Sequence, residues 1–167
     1  RKIIKAPTLV ETGPPNIDYK KQGYLTKEEL QPIEGNLEQS LKVMIQDLKN
    51  GDWQKQFNGL DTLRSFLQFH TQTLLNSPNF NLHNIVSEIL KAIESLRSNL
   101  SKNALITLNE MSQVLRKQLD AEADTVLLRL IKKGNDANTF IADEVKKALT
   151  SIAQNCSDIK MIPCLAS

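Results

Sequence analysis

Three stretches of the chain share one pattern of apolar positions, which step by three or four residues. The third copy lies 37 residues after the second, and the first lies 48 residues before the second. The aligned sets are Leu60, Leu63 and Leu67; Ala104, Leu108, Met111 and Leu115; and Ile141, Val145, Ala148 and Ile152. This spacing puts each set on one face of a helix. Because periods near 40 residues are typical of stacked helical pairs, the pattern predicts an all-α solenoid.

A second amphipathic stretch precedes each copy, which predicts three helical hairpins. The expected pairs are 37–50 with 52–70, 81–98 with 101–118, and 120–133 with 138–155. The segment 71–80 is expected to be a connection, and the start of a fourth hairpin is expected from residue 157 onward.

Local signals place the ends of these helices. Thr26, Asn36, Asp52 and Ser101 are the expected N-caps, because their side chains can accept a hydrogen bond from an orphan amide. The last helix is expected to begin at Asn138. In the third long helix, Leu96 is expected to continue the apolar face begun by Ile85. Gly134 suits the left-handed position after a helix.

The segment before Thr26 lacks helical periodicity and is interrupted by proline and glycine. A helix is expected to begin after Thr26, and it should be short because Pro32 soon follows. The expected organisation is therefore a linker or N-terminal extension with one short helix over 1–35, and a repeat domain over 36–167. The chain starts without Met and stops within the fourth hairpin, so we expect one module of a longer multi-domain chain, truncated at its C-terminus.

Composition argues against several classes of function. The 21 basic and 19 acidic residues leave a net charge of +2, without the basic excess of a nucleic-acid-binding domain. No apolar run approaches the roughly 18 residues of a membrane helix. Cys156 and Cys164 lack the spacing of a zinc site or a disulfide framework, so reduced thiols in the cytoplasm are expected.

Catalytic motifs are also missing from the sequence. It contains no phosphate-binding glycine loop, no metalloprotease motif and no nucleophile elbow, and His70 and His83 stand alone. We therefore expect no enzyme activity, catalytic residue, metal or cofactor, and neither a nucleic-acid nor a membrane partner.

The turns inside the hairpins carry cations beside small polar residues. Successive pairs in a solenoid stack in one orientation, so these turns should line up along one edge. We call the surface formed by the three intra-hairpin turns and the helix starts that follow them the turn edge. Its candidate contact residues are Trp53 and Lys55 at the first turn, Arg97, Ser98 and Lys102 at the second, and Lys132, Lys133 and Asn138 at the third. One aromatic anchor among cations suits an acidic protein surface.

A purely structural explanation fits the same residues. Lys and Arg near a helix C-terminus complement the helix dipole, which describes Arg97, Lys132 and Lys133. Trp53 could belong to the core beside Phe57. The spacing alone does not favour binding over this explanation.

Three segments resemble the TOG domains, which are tubulin-binding arrays of HEAT repeats. GDWQKQFNGLDTLRSFL, from Gly51, is similar to the DW-x-x-R-x-x-x-L-x-x-L-R-x-L opening of CLASP-type members. SNLSKNALITLNEMSQVL, from Ser98, resembles their second repeat. GNDANTFIADEVKKALTSI, from Gly134, resembles their third repeat and is most like the crescerin type, the TOG arrays of ciliary microtubules. The likeness covers about 37–167.

The resemblance implies a HEAT-repeat α-solenoid whose turn edge lies on α/β-tubulin or the microtubule lattice. Trp53 would be the anchor, and the basic and polar residues of the second and third turns would be contacts. The implied role is to promote polymerisation or stability of microtubules in the cytoskeleton, the cilium or the axoneme.

Two features depart from the family pattern. Gln56 stands where relatives have Arg, and the fourth to sixth repeats of a complete TOG domain are absent or truncated. The alternative function is a HEAT-repeat scaffold or spacer that binds a non-tubulin protein.

Overall fold

The computed structural model describes residues 24–136 and 138–156, and these residues form helices joined by short turns, with no strand among them. The helices are α1 (Leu37–Leu48), α2 (Trp53–Phe69), α3 (Thr71–Asn76), α4 (Leu82–Ile93), α5 (Ser98–Leu115), α6 (Asp120–Lys133) and α7 (Thr139–Asn155). Short 3-10 turns lie at Lys27–Glu29 and Arg116–Leu119. The predicted fourth hairpin and most of the predicted linker lie outside the described residues.

The helices form two layers. In one layer α5 lies between α2 and α7, and in the other α4 contacts both α1 and α6. Each hairpin, α1–α2, α4–α5 and α6–α7, contributes one helix to each layer and packs on its neighbour. The predicted all-α solenoid of helical pairs is confirmed.

The repeated apolar stripe is the core of the stack. Each of its residues, from Leu60 to Ile152, is at most 3% exposed. Burying one large aliphatic side chain contributes about 1.5–3 kcal/mol. Since no single hairpin encloses its own stripe, burial of the stripe depends on contact between neighbouring hairpins.

Most of the predicted helix starts are confirmed. The side-chain oxygens of Asn36, Asp52 and Asn138 each accept a 3.0 Å hydrogen bond from a backbone amide two or three residues later. Thr26 differs, because its hydroxyl donates to the Glu29 carboxylate at 3.0 Å and makes no side-chain cap.

The junction between α4 and α5 contradicts the sequence prediction. α4 ends at Ile93 instead of 98, and α5 begins at Ser98 instead of 101. Ser101 is no N-cap, since it is 1% exposed and its hydroxyl donates to the Ile93 carbonyl oxygen at 2.6 Å. This bond satisfies a carbonyl at the end of α4, where the last carbonyl oxygens have no amide donor within the helix. Leu96 therefore leaves the apolar face and is fully exposed.

Two smaller predictions also need correction. The segment 71–80 is more than a connection, because it contains α3, whose Leu74 is fully buried in the core. Gly134 has φ −62° and is right-handed, not left-handed. Its amide continues the helical pattern by donating to the Leu130 carbonyl at 2.9 Å, so no left-handed residue is needed.

A charged pair is buried where α2 packs on α5. Arg64 is 1% exposed, and its Nε and Nη2 atoms donate to the two carboxylate oxygens of Glu110 at 2.8 and 2.7 Å. Beside the pair, Nδ2 of fully buried Asn103 donates to Asp61 Oδ1 at 3.1 Å. Burial raises the pKa of Asp61, and the Asn103 hydrogen bond and the Arg64 charge oppose the rise. The bidentate pair requires one relative position of the two helices.

We predict that Arg64→Met lowers the free energy of unfolding by about 3–5 kcal/mol, because Glu110 is left buried without its cation. The double variant Arg64→Met/Glu110→Leu should lose much less, because it removes both buried charges. Urea unfolding of the parent chain and the variants measures both effects. A double variant as unstable as the single one would show that the loss comes from packing.

Candidate functional site

The structure brings the three predicted turns together along one edge. The Arg97 guanidinium, at the second turn, lies 4.8 Å from the ring centroid of Trp53, at the first. The Lys102 ammonium, near the start of α5, lies 5.4 Å from the ring centroid of Phe140, at the start of α7. Cation–π pairs therefore connect each turn to the next.

Trp53 is neither wholly exposed nor wholly buried. It is the first residue of α2 and packs partly against the core, and Arg97 covers its ring. A side chain in this position can contribute to the fold and still present part of its surface to a partner. The structural explanation therefore applies to Trp53, and its role as a binding anchor stays a prediction.

The other candidates of the first two turns lie at the surface. Lys55, Arg97 and Ser98 are exposed. Burial raises the pKa of Asp47, and the positive charge of Lys55 opposes that rise. Arg97 is the N-cap residue of α5, but its guanidinium has no acceptor and cannot cap the helix. The guanidinium covers the ring of Trp53 instead.

Lys102 is held between two aromatic rings. Its Nζ atom lies 4.9 Å from the ring centroid of Tyr24 and 5.4 Å from that of Phe140. Tyr24 also stacks on Phe57 with ring centroids 5.9 Å apart. Burial raises the pKa of Tyr24, and the negative charge of Glu144 adds to the rise, which keeps its hydroxyl protonated.

At the third turn, two of the three candidates take part in internal contacts. Lys133 Nζ pairs with Asp136 Oδ2 at 2.9 Å, and the Asn138 side chain caps α7. The backbone amide of Asn138 donates to Asp136 Oδ1 at 2.8 Å. This hydrogen bond is the main cause that lowers the pKa of Asp136, and the hydrogen bond from Lys133 adds to it. Lys132 is exposed, so it is the third-turn candidate best placed to meet a partner.

Near Lys132, a surface ion pair joins α4 to α6. Both Arg129 Nε and Nη2 donate to the Glu94 carboxylate. The Arg129 hydrogen bond is the main cause that lowers the pKa of Glu94, and the charges of Lys132 and Lys133 add to it.

Sequence reasoning missed three residues of the turn edge. Phe140 is 68% exposed and Leu96 is fully exposed, although both are large and apolar. Tyr24, expected in a linker, reaches this edge as well. A cleft of about 230 Å³ is lined by Tyr24, Ser98, Lys102, Asn138, Phe140 and Ile141. The exposure of Phe140 could have been inferred from the sequence, because Phe140 directly precedes the buried stripe residue Ile141 and so lies off the buried face. No local pattern indicated that Tyr24 reaches this edge.

Residues 24–136 and 138–156 contain no group of three His, Cys, Asp or Glu side chains that could hold a metal ion. None of the helices in these ranges is long and apolar enough to cross a membrane. Burial raises the pKa of the Cys156 thiol, and the charge of Asp120 adds to this rise. A raised thiol pKa disfavours the reactive thiolate.

Comparison with known proteins places the chain in a family. Residues 37–166 match the family described as CLASP N terminal. TOG array regulator of axonemal microtubules protein 1 of Homo sapiens is 31% identical over 134 residues, which are 80% of this chain and 8% of that protein. Crescerin-like protein che-12 of Caenorhabditis elegans is 25% identical over 120 residues, 71% of this chain and 9% of that protein.

A relative of another name is also similar to this chain. The CLIP-associating protein of Drosophila melanogaster is 35% identical over 113 residues, which are 66% of this chain and 7% of that protein. The chain thus spans less than a tenth of the length of these relatives. The match from α1 through α7, together with the two-layered stack of helical hairpins, shows that the chain belongs to the CLASP N-terminal family and has a TOG-type fold.

Proposed function

We propose that this chain is a non-catalytic module that binds α/β-tubulin or the microtubule lattice through the turn edge. The observation that carries the proposal is the cation–π contact of Arg97 with half-buried Trp53, which joins an aromatic anchor to the cations around it. Aromatic residues and Arg are the side chains most often found at the energetic centre of protein interfaces.

Charge supports an acidic partner such as tubulin. Lys55, Arg97 and Lys132 are exposed on the turn edge. Among the described residues, no salt bridge includes these three side chains or Lys102. Exposed positive charges speed the encounter with an acidic surface, and salt weakens this attraction.

The names of relatives support a role on microtubules. The human relative is named as a regulator of axonemal microtubules, and this name motivates the proposal of a role in microtubule growth or stability, including that of cilia. The corresponding location is the cytoskeleton of the cytoplasm or the axoneme. Because the chain spans 8% of that relative, we propose that it acts as one module of a longer array.

A scaffold or spacer module is the second candidate. The observation in its favour is that Trp53 packs partly against the core, as a structural tryptophan would. Lys133 and Asn138 are also engaged inside the fold. A spacer would keep these contacts without needing tubulin.

We predict that Trp53→Ala weakens tubulin binding at least about thirtyfold, which corresponds to about 2 kcal/mol for a central aromatic anchor. Sedimentation of the chain with α/β-tubulin at low and at physiological salt measures the affinity. Phe69→Ala is the matched control, since Phe69 is a partly exposed aromatic at the opposite end of the same helix. A folded Trp53→Ala variant with unchanged affinity would remove Trp53 from the interface.

A separate prediction concerns Asn138, whose side chain we propose to act as the cap of α7. Asn138→Ala should lower the free energy of unfolding by about 1 kcal/mol, since the amide of Phe140 loses its acceptor. Thermal unfolding and tubulin binding are measured on the same sample. Affinity that falls tenfold with unchanged stability would instead make Asn138 a direct contact.

A further inference from the structure

The turn edge carries one large apolar side chain at each turn, and two of the three are exposed. Leu96 at the second turn is fully exposed and Phe140 at the third is 68% exposed, the two highest values among the large apolar residues that the structure describes. Trp53, at the first turn, is half-buried. Single exposed apolar residues are ordinary on protein surfaces, but a row of them beside cations is typical of a binding surface.

Phe140 forms one wall of a shaped cleft. The cleft has a volume of about 230 Å³, and Tyr24, Lys102 and Ile141 also line it. The Lys102 ammonium lies 4.9 Å from the Tyr24 ring centroid and 5.4 Å from that of Phe140. The two aromatic faces hold the ammonium in place, so a carboxylate that arrives meets a cation whose position is already restricted.

We propose that this cleft is a second anchor site of the turn edge. It takes an acidic segment of the tubulin surface, with an apolar side chain packed on Phe140 and a neighbouring carboxylate paired with Lys102. The inference rests on the proposed function. It adds Phe140 and Tyr24 to the candidate contacts and combines them with Lys102 of the second turn in one site.

Charge selects the acidic partner over a second copy of the chain. A symmetric dimer formed through the turn edge would place the cationic surface of one copy, which includes Arg97 and Lys102, against the same cationic surface of the other. Like charges facing each other across an interface oppose association. An acidic surface has the opposite effect, and the exposed Ser98 beside Lys102 offers it a hydroxyl group for hydrogen bonding.

The test compares Phe140→Ala and Lys102→Met with Trp53→Ala and the parent chain in binding to α/β-tubulin at two salt concentrations. Phe140→Ala should weaken binding about tenfold at both salt concentrations, since it removes an apolar contact. Lys102→Met keeps an unbranched stem but no charge, so it should weaken binding at low salt and flatten the salt dependence. Leu128→Ala, at another exposed apolar position, 55% exposed on α6, is the control and should change affinity less than twofold.

The outcomes separate the two proposals. If the parent binds, Trp53→Ala weakens it and Phe140→Ala behaves like Leu128→Ala, the second anchor is refuted and the proposed function stands. Absence of any complex with the parent would overturn both. If the parent alone forms dimers that Phe140→Ala dissociates, the cleft is a self-association surface and the inference fails. Circular dichroism checks folding, and Phe140→Gln is the second variant should Phe140→Ala unfold.

Discussion

The structure depends on the burial of both sides of α5. On one side α5 packs against α2, with the Arg64–Glu110 pair between them, and on the other it packs against α7, where the hydroxyl oxygens of Ser112 and Ser151 lie 2.5 Å apart. Apolar burial supplies most of the stabilisation, but it is not directional. The polar contacts require defined positions of the helices, and we infer that they fix the register of α2, α5 and α7.

This register determines the geometry of the turn edge. Because the three helices are held side by side, their first turns come close enough for Arg97 to reach Trp53 and for Lys102 to reach Phe140. The surface that results combines aromatic rings, exposed apolar groups and cations. Of these cations, Lys55, Arg97, Lys102 and Lys132 make no salt bridge within the described residues, whereas Lys133 pairs with Asp136. An acidic protein partner would bury the apolar groups and pair with the cations, which is the physical basis of the proposed tubulin contact.

The sequence predicted what depends on local or repeated signals. The buried stripe from Leu60 to Ile152 follows from helical spacing, and the caps Asn36 and Asp52 follow from bonds within one helical turn. The alignment of turns follows from repetition. Ser101 was mistaken for a cap because its true partner, the Ile93 carbonyl, belongs to the preceding helix.

Other features of the site depend on contacts between distant parts of the chain. Lys133 and Asn138 carry the residue types of a contact surface, but their partners within the third turn become visible only with the backbone geometry. Tyr24 meets Phe57 and Lys102, and no local pattern could bring these residues together. The role of each candidate in binding tubulin stays a prediction.

Amide hydrogen exchange of the chain with and without α/β-tubulin tests the turn edge most directly. The first amides of α2, α5 and α7 have no partner within their helices and should exchange fast in the free chain, apart from those that a side chain caps. Bound tubulin should slow exchange at all three helix starts, near Trp53, Ser98 and Phe140, and leave the opposite ends near Phe69 and Val114 unchanged. Protection of those opposite ends, or of the α1–α4–α6 layer instead, would contradict the account.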